Sequence, residues 1–254
     1  MTSIDINSDM GESFGRWRLG DDDSMLRLIS SANIACGFHA GDPSVMLYTL
    51  KGAHAHHVSI GAHVSYRDLA GFGRRSIDVP MDVLQADVEY QIAAIQGLAR
   101  ATGVEVRYVK PHGALYNRIV DDEKQASAVI QGILAIDPEL ALLTLPDSIV
   151  GTLADRSGLQ VFHEAFADRA YTPEGHLVPR TQADAVITDP DRVAERVSRL
   201  VSTGDIEAID GSRIRVSADS VCVHGDSPGA VTMAESIHRR LSADGIRLAS
   251  FTQR

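Results

Sequence analysis

Side chains that carry out acid–base or metal chemistry occur in this sequence as six short clusters, and each cluster follows an apolar run. The clusters hold Asn7, Asp9 and Glu12; His39; His63; Lys110 and His112; Glu164 and Arg169; and His224 and Asp226. In a barrel of alternating strands and helices, the catalytic residues come from the C-terminal ends of several strands. The pattern therefore predicts an enzyme whose strands present one shared catalytic rim.

Asp9 and three histidines form the combination with the most specific chemistry. One carboxylate and up to three imidazoles, from His39, His63 and His112, suit a site for a divalent metal ion such as Mg or Zn. The same groups suit a proton-transfer relay. Each histidine taken alone is more often a buried structural residue, and sequence spacing does not say whether residues from separate strands converge. Both interpretations stay open on the residues alone.

The remaining clusters supply further acid, base and cationic groups. Lys110 comes directly after an apolar strand, where its ammonium would bind an anionic oxygen as a point charge. Glu164 opens a long polar segment, and His224 ends the last predicted strand before the final long helix. The predicted catalytic set is Asp9, Lys110, His112, Glu164, His224 and Asp226.

Arginines in two segments are candidates for binding an anionic substrate. The Gly-rich segment 71–75 either seats a phosphate or carboxylate group or forms a solvated turn. Arg169 has the same binding role or forms a surface ion pair with Asp168. The predicted set for substrate or phosphate binding is Asn7, Glu12, Arg74, Arg75 and Arg169.

Composition excludes several classes of function. The 254 residues include 24 Lys and Arg against 34 Asp and Glu, a formal charge of −10 that argues against sequence-independent binding of nucleic acid. Two cysteines give no disulfide framework. No apolar run approaches the roughly 20 residues that span a bilayer, so we expect a cytoplasmic protein without a membrane partner. Neither a P-loop nor a Gly-x-Ser-x-Gly nucleophile motif occurs.

Strand and helix signals alternate along the whole chain. Apolar runs predict strands at residues 4–7, 31–36, 58–63, 104–109, 140–145, 160–163, 220–224 and 246–250. Residues 80–102 carry apolar side chains at helical spacing, and Gly103 ends that helix. Residues 206–216 predict a small hairpin insertion, and residues 165–189 a functional loop or lid. We expect a single α/β domain over residues 1–254, a barrel of seven or eight mostly parallel strands.

Three segments carry a resemblance to a known family. DINSDMGE at residues 5–12, NIACGFHAGDP at 33–43 and VKPHGALYN at 109–117 resemble the LamB/YcsF family. Further matches at residues 61–63, 68–75, 164–171 and 223–226 keep the family order. The resemblance covers nearly the whole chain, and no departure occurs within these segments.

The resemblance implies the function of the A subunit of a 5-oxoprolinase. This activity is the ATP-dependent opening of 5-oxoproline to L-glutamate, with release of ADP and phosphate. The resemblance implies a complex with two partner subunits, B and C. The resemblance does not decide whether the chain also forms a homo-oligomer. The resemblance also implies a glycoside hydrolase/deacetylase-type barrel. Distant deacetylases of that type bind a divalent metal through an Asp and two His, and the positions here that are similar are Asp9, His63 and His112.

The predicted roles follow from the chemistry of opening a lactam. Phosphorylation of the carbonyl oxygen would turn it into a leaving group, and Asp9 or Glu164 would then activate water. Lys110, with His63 or a metal held there, would stabilise developing negative charge, and His112 or His224 would shuttle protons. ATP would bind to this chain or be used by a partner. The alternative functions are a metal-dependent deacetylase or hydrolase acting on a carbohydrate or amide, and a non-catalytic subunit.

Overall fold

Seven strands pair in parallel, and the last of them pairs back onto the first, so the sheet closes into a barrel. These relations come from a computed structural model that describes residues 2–225 and 229–253. The strands are β1 Ser3–Met10, β2 Ser31–Ala35, β3 Ser59–His63, β4 Val106–Val109, β5 Ala141–Thr144, β6 Val161–Phe166, β7 Asp205–Glu207, β8 Arg213–Arg215, β9 Ser220–Cys222 and β10 Arg247–Leu248. The ring consists of β1 to β6 and β9, which confirms the predicted barrel.

Helices connect the strands and cover the outside of the barrel. They are α1 Asp22–Met25, α2 Pro43–Ala55, α3 Met81–Thr102, α4 Gly113–Arg118, α5 Glu123–Ile136, α6 Ile149–Arg156, α7 Pro190–Thr203 and α8 Ala230–Ala243. The long helix α3 ends as its sequence predicts, because Gly103 takes the left-handed conformation with φ of 78°. Apolar residues of α3 and α5 are buried against the outer face of the sheet.

The interior of the barrel is polar in its middle layer. Successive side chains of a strand alternate between the two faces, so Ile4 and Ile6 join the apolar shell under the helices, whereas Asp5 and Asn7 point inward. Asp5 accepts a hydrogen bond from Ser31 at 2.6 Å, and Asn7 donates one to Ser220 at 2.7 Å. Hydrogen bonds between strands therefore take the place of apolar packing in this layer.

Three aromatic rings fill the barrel below the polar layer. The ring of Phe251 lies 4.9 Å from that of Tyr108 and 4.8 Å from that of Phe162. Tyr108 also donates a hydrogen bond to Asn33 at 2.7 Å, so the aromatic layer and the polar layer are joined. This arrangement closes the end of the barrel opposite the C-terminal ends of the strands.

Several predicted strand boundaries are wrong, because some strands are longer than predicted and one is shorter. Strand β1 continues to Met10 and β6 to Phe166, so Asp9 and Glu164 lie within strands, and Glu164 does not open a lid. The run at residues 246–250 contains only the two-residue strand β10, which pairs with the start of β1 and is not part of the ring. Helices α1 and α4 are not predicted from the sequence.

The hairpin prediction is confirmed, since β7 and β8 pair in an antiparallel manner. For the last long helix the sequence predicts residues 228–241. The helix begins at Ala230, and residue 228 lies outside the described residues. Among residues 2–225 and 229–253, none of the helices combines the length and apolar character that crossing a membrane requires.

Gly61 provides a test of the packing inside the barrel. A Cβ added at Gly61 would lie 2.2 Å from Cε2 of Tyr108, so alanine forces the ring to move. We expect Gly61→Ala to lower the free energy of unfolding by about 1–3 kcal/mol, the usual cost of overpacking. Chemical denaturation followed by circular dichroism measures this change.

Gly97→Ala is the matched control. Gly97 lies on α3, where no described atom beyond its chain neighbours and the backbone of its own helix comes within 4 Å of an added Cβ. Alanine there should raise the free energy of unfolding by up to about 1 kcal/mol, because alanine has the higher helix propensity. Equal effects at the two positions would contradict the tight fit around Gly61.

Candidate active site

A cavity of about 760 Å³ opens at the C-terminal ends of the strands. Its lining includes five of the residues predicted for catalysis or metal binding: Asp9, His63, Lys110, His112 and His224. They come from β1, from β3, from the segment after β4 and from the segment after β9. The structure thus brings these residues together at one rim, the position at which barrel enzymes carry their active sites.

Lys110 lies at the base of this cavity and is almost completely buried. Its Nζ atom is 3.0 Å from Oε2 of Glu164, 3.4 Å from Oδ1 of Asp9 and 3.1 Å from Oδ1 of Asn7. The same ammonium group is 3.2 Å from the sulfur of Cys222. A buried charge is tolerated when it is paired and hydrogen-bonded, and these contacts meet that requirement.

The charges in this group stabilise one another. Burial favours the neutral form of Lys110, but Asp9, Cys222 and Glu164 together outweigh it and raise the pKa of the lysine well above its ordinary value. Burial likewise opposes the charge on Asp9, but His63 and Lys110 lower the pKa of that carboxyl well below 3.8. At neutral pH the base of the cavity therefore holds the Lys110 ammonium beside the Asp9 carboxylate.

Glu12 and three histidines form a second group beside Asp9. One ligand atom from each of Glu12, His39, His63 and His112 lies within 4.8 Å of the others. Nε2 of His63 is 2.9 Å from Nδ1 of His112, and Nε2 of His39 is 3.2 Å from Oε1 of Glu12. Asp9 adjoins the group, with Oδ1 3.2 Å from Nε2 of His63.

Backbone carbonyl groups fix the orientation of two of these rings. Nδ1 of His63 is 2.8 Å from the carbonyl oxygen of Lys110, and Nε2 of His112 is 2.9 Å from that of Phe72. Each carbonyl takes the N–H of one ring nitrogen and directs the other nitrogen into the cluster. Metal-binding histidines in proteins have this arrangement.

His39 and His112 have the protonation state that a metal ligand needs. Burial lowers the pKa of His112 to about 3, and the neighbouring His63 adds to the effect. Burial also lowers the pKa of His39 well below its ordinary value, with contributions from His112 and His63. Neutral imidazoles are available to donate a lone pair to a divalent cation.

His224 and Asp168 form a pair on another part of the wall. Nδ1 of His224 is 2.9 Å from both carboxylate oxygens of Asp168, which is 2% exposed. Burial favours protonation of Asp168, but His224 outweighs it and lowers the pKa of the carboxyl below its ordinary value. A carboxylate at Nδ1 places the ring proton there and leaves Nε2 of His224 as a proton acceptor.

The residues predicted to bind an anion do not all lie at the cavity. Arg74 and Arg169 line the cavity, whereas Arg75 is two-thirds exposed and paired with Asp68. Asn7 lies inside the barrel beneath the cavity, where its amide bonds to Glu164 at 3.1 Å. Asp226 lies outside the described residues.

Sequence reasoning misses four residues of this region. Asn33 donates hydrogen bonds to Asn7 and Asp9, at 2.7 and 2.9 Å. Asp168 has the local sequence signature of a surface residue, and only its tertiary contact with His224 shows otherwise. Tyr116 and Arg180 line the cavity. Tyr116 belongs to the segment 109–117 that carries the family resemblance, whereas no local sequence signal marks Arg180.

Sequence comparison decides the family. Residues 4–254 match the profile of the LamB/YcsF family. The chain belongs to the LamB/YcsF family. It is 59% identical over 251 residues to a protein of Agrobacterium fabrum named as an A subunit of 5-oxoprolinase, covering 99% of this chain and 98% of that protein. It is 55% identical to the 5-oxoprolinase A subunit of Mycobacterium avium, covering 99% of this chain and all of that protein.

Comparison of structures gives the same fold. The crystal structure of the lactam utilization protein from Thermus thermophilus is 40% identical, covers 97% of this chain and 99% of that chain, and superposes with a TM-score of 0.93. A family 4 carbohydrate esterase from Streptomyces lividans is 11% identical, covers 98% of this chain and 92% of its own, and has a TM-score of 0.51. The second likeness concerns the fold alone.

Removal of the buried ammonium tests how the base of this LamB/YcsF cavity is stabilised. We expect Lys110→Met to lower the free energy of unfolding by about 3–5 kcal/mol, because it leaves two buried carboxylates without their cation. The loss should be full at pH 7 and shrink as the pH falls below 3.8, since stabilisation from a carboxyl with a depressed pKa is lost on protonation. Urea denaturation across this pH range measures both effects.

Lys51→Met is the control for loss of a lysine. Lys51 is exposed on α2, so its replacement should change the free energy of unfolding by no more than about 0.5 kcal/mol. A loss at Lys110 no larger than that at Lys51 would refute the ion-pair argument.

Proposed function

We propose that this chain is the A subunit of a 5-oxoprolinase. It would open 5-oxo-L-proline to L-glutamate, with hydrolysis of ATP to ADP and phosphate, in a complex with partner B and C subunits. The observation that carries the proposal is 59% identity over 99% of the chain to a relative that bears this name. The lactam utilization protein with TM-score 0.93 supports a cyclic amide as the substrate.

The chemistry of the substrate defines what the cavity has to supply. A five-membered lactam is a stable amide at neutral pH, and phosphorylation of its carbonyl oxygen makes the ring carbon open to attack by water. The site then needs a cation near the developing negative charge and groups that move protons. It also needs a carboxylate that stays ionised.

Lys110 is the proposed electrostatic stabiliser. Its ammonium remains charged because Asp9 and Glu164 hold it, at 3.4 and 3.0 Å. A fixed charge at the base of a largely buried cavity acts through a lower effective dielectric constant than in water. We assign Asp9, which lines the cavity, to orient and polarise the attacking water, and Glu164 to hold Lys110 in place.

His224 is the proposed proton-transfer group, and Asp168 is its positioning residue. The Asp168 carboxylate fixes the tautomer and the direction of the ring through contacts of 2.9 Å. The ring is also stacked on Phe166, with centroids 5.5 Å apart. His224 Nε2 would take a proton from water and return it to the departing ring nitrogen.

Glu12, His39, His63 and His112 are the proposed ligands of a divalent metal ion. Among the described residues, the buried Nδ1 of His39 has no hydrogen-bond partner, and the four ligand atoms already lie within 4.8 Å of one another. Three imidazoles and one carboxylate favour zinc over magnesium. When bound, the ion would polarise a carbonyl or phosphoryl oxygen as a Lewis acid.

ATP is the proposed co-substrate of the complex. The sequence contains no P-loop, so a nucleotide bound here would rely on side chains at the cavity such as Arg74. If a partner subunit uses ATP, Arg74 would receive the phosphoryl group of the phosphorylated lactam. Asn7, Glu12 and Arg75 have other contacts, and we give them no direct role toward phosphate.

A reconstituted complex of this chain with the B and C subunits tests the function. We expect it to release ADP and glutamate from 5-oxoproline and ATP. Asp168→Asn should lower kcat by about 10²–10⁴-fold, because His224 loses the carboxylate that fixes its tautomer. The dependence of kcat on pH should change as well, which a purely structural role would not produce.

Asp184→Asn is the matched control, since Asp184 is exposed on the connection between β6 and α7. Its activity should equal that of the unaltered complex. Hydrolysis of an acetylated sugar or amide without ATP, and no turnover of 5-oxoproline, would instead favour a metal-dependent deacetylase. The Glu/His cluster is the observation behind that second candidate.

Metal analysis tests the proposed ligand set independently of activity. We expect the purified chain to hold about one zinc ion, and His112→Asn to lose it, because that ligand atom is then absent. His238→Gln serves as the control, since His238 is exposed on α8. Equal metal content in the two variants would exclude His112 as a ligand.

A further inference from the structure

Arg169 lies in the cavity wall with an unsatisfied hydrogen-bond donor. The residue is 7% exposed, and its Nη2 donates to the carbonyl oxygen of Val178 at 2.6 Å. Its buried Nε has no hydrogen-bond partner within the described part of the chain. A buried donor without a partner costs free energy. A ligand that accepts from Nε would remove that cost.

Arg180 brings a second positive charge to the same wall. After burial, Arg180 is the strongest influence that lowers the pKa of Arg169, while Asp168 acts in the opposite direction. Asp168 is itself engaged by His224 at 2.9 Å. Within residues 2–225 and 229–253, neither arginine forms an ion pair with a carboxylate. Two adjacent guanidinium groups on a concave wall favour an anionic ligand.

Tyr116 lies beside the buried carboxyl of Glu164. The residue is 4% exposed and lines the cavity. Burial, followed by the charge of Glu164 and a hydrogen bond to it, raises the pKa of Tyr116 well above its ordinary value. The hydroxyl therefore stays protonated and faces Glu164, so the two arginines supply the donors of this wall.

The other cations of the cavity are already engaged. Lys110 is held by Asp9 and Glu164, Arg118 is 2.7 Å from Asp122, and Arg74 lies 4.9 Å from the ring of Phe72. 5-Oxoproline carries a single ionic group, its carboxylate, attached to a neutral ring. When the ring amide faces Lys110, this carboxylate must be received by another part of the wall.

We propose that Arg169 and Arg180 form a carboxylate subsite that selects acidic lactams against neutral ones. The assignment rests on the proposed function and names the part of the substrate that determines specificity. A cyclic amide without a carboxylate would leave the two guanidinium groups without an anion, and it would bind more weakly. Phosphate has similar chemistry and is the competing source of the anion.

The test is carried out on the reconstituted complex with the Arg180→Gln and Arg169→Lys variants. The measured constants are KM for 5-oxoproline, KM for ATP and the inhibition constant of 2-pyrrolidinone, the same ring without its carboxylate. Arg180→Gln should raise KM for 5-oxoproline by about 10- to 100-fold, the range for loss of a charged hydrogen bond. Neither KM for ATP nor the inhibition constant should change.

Controls separate this inference from the proposed function. Arg213→Gln removes an exposed arginine of β8 and should leave all three constants unchanged. Arg169→Lys keeps the charge but not the planar donor group, and should give a smaller rise in KM for 5-oxoproline. An increase in KM for ATP instead would assign the arginines to phosphate and overturn the carboxylate subsite.

Equal weakening of 5-oxoproline and 2-pyrrolidinone would also overturn the inference, because selection by charge requires that only the acid be affected. Failure of the unaltered complex to turn over 5-oxoproline is a different result, and it would refute the proposed function itself. The two failures are therefore distinguishable in one set of measurements.

Discussion

The ammonium group of Lys110, buried inside a parallel barrel, is the constraint on which the rest of the structure depends. A charge in that position is stable only with partners, and Asp9, Glu164 and Asn7 surround it at 3.0–3.4 Å. These partners need hydrogen bonds of their own, which Asn33 and Ser220 provide from neighbouring strands. The hydrogen bonds that hold Lys110 are thus part of the polar middle layer of the barrel.

Because this layer is polar, the apolar burial that stabilises the fold lies in other parts of the barrel. Apolar burial is concentrated outside the ring, where side chains such as Ile6 and Ile34 lie beneath helices, and at the closed end around Phe251. The open end then contains rigid, pre-oriented groups. The carbonyl groups that hold His63 and His112 belong to backbone at the same rim, so the site is built from the scaffold and not from mobile side chains.

The sequence was sufficient to predict the barrel and the meeting of distant clusters at one rim, because the position of a residue at a strand end is local information. His63 and Lys110 illustrate this. The lengths of β1 and β6 were not predictable, since polar residues facing a polar interior, such as Asp9 and Glu164, interrupt the apolar run that marks a strand. Arg75 could not be distinguished from Arg74 either, because its pairing with Asp68 depends on the loop conformation. The catalytic and metal roles remain predictions.

Closure of the ring also has a consequence for how the protein is made. Within the described part of the chain, β9 is the strand that joins β1 to β6, and Asp5 pairs in register with Ser220 across more than two hundred residues. Contacts so distant in sequence form late and slowly during folding. During translation, one edge of β1 therefore stays unpaired until nearly the whole chain has been synthesised. An unpaired strand edge is a template for aggregation. The nascent chain, with this edge exposed, is therefore a better binding target for chaperones than the folded barrel.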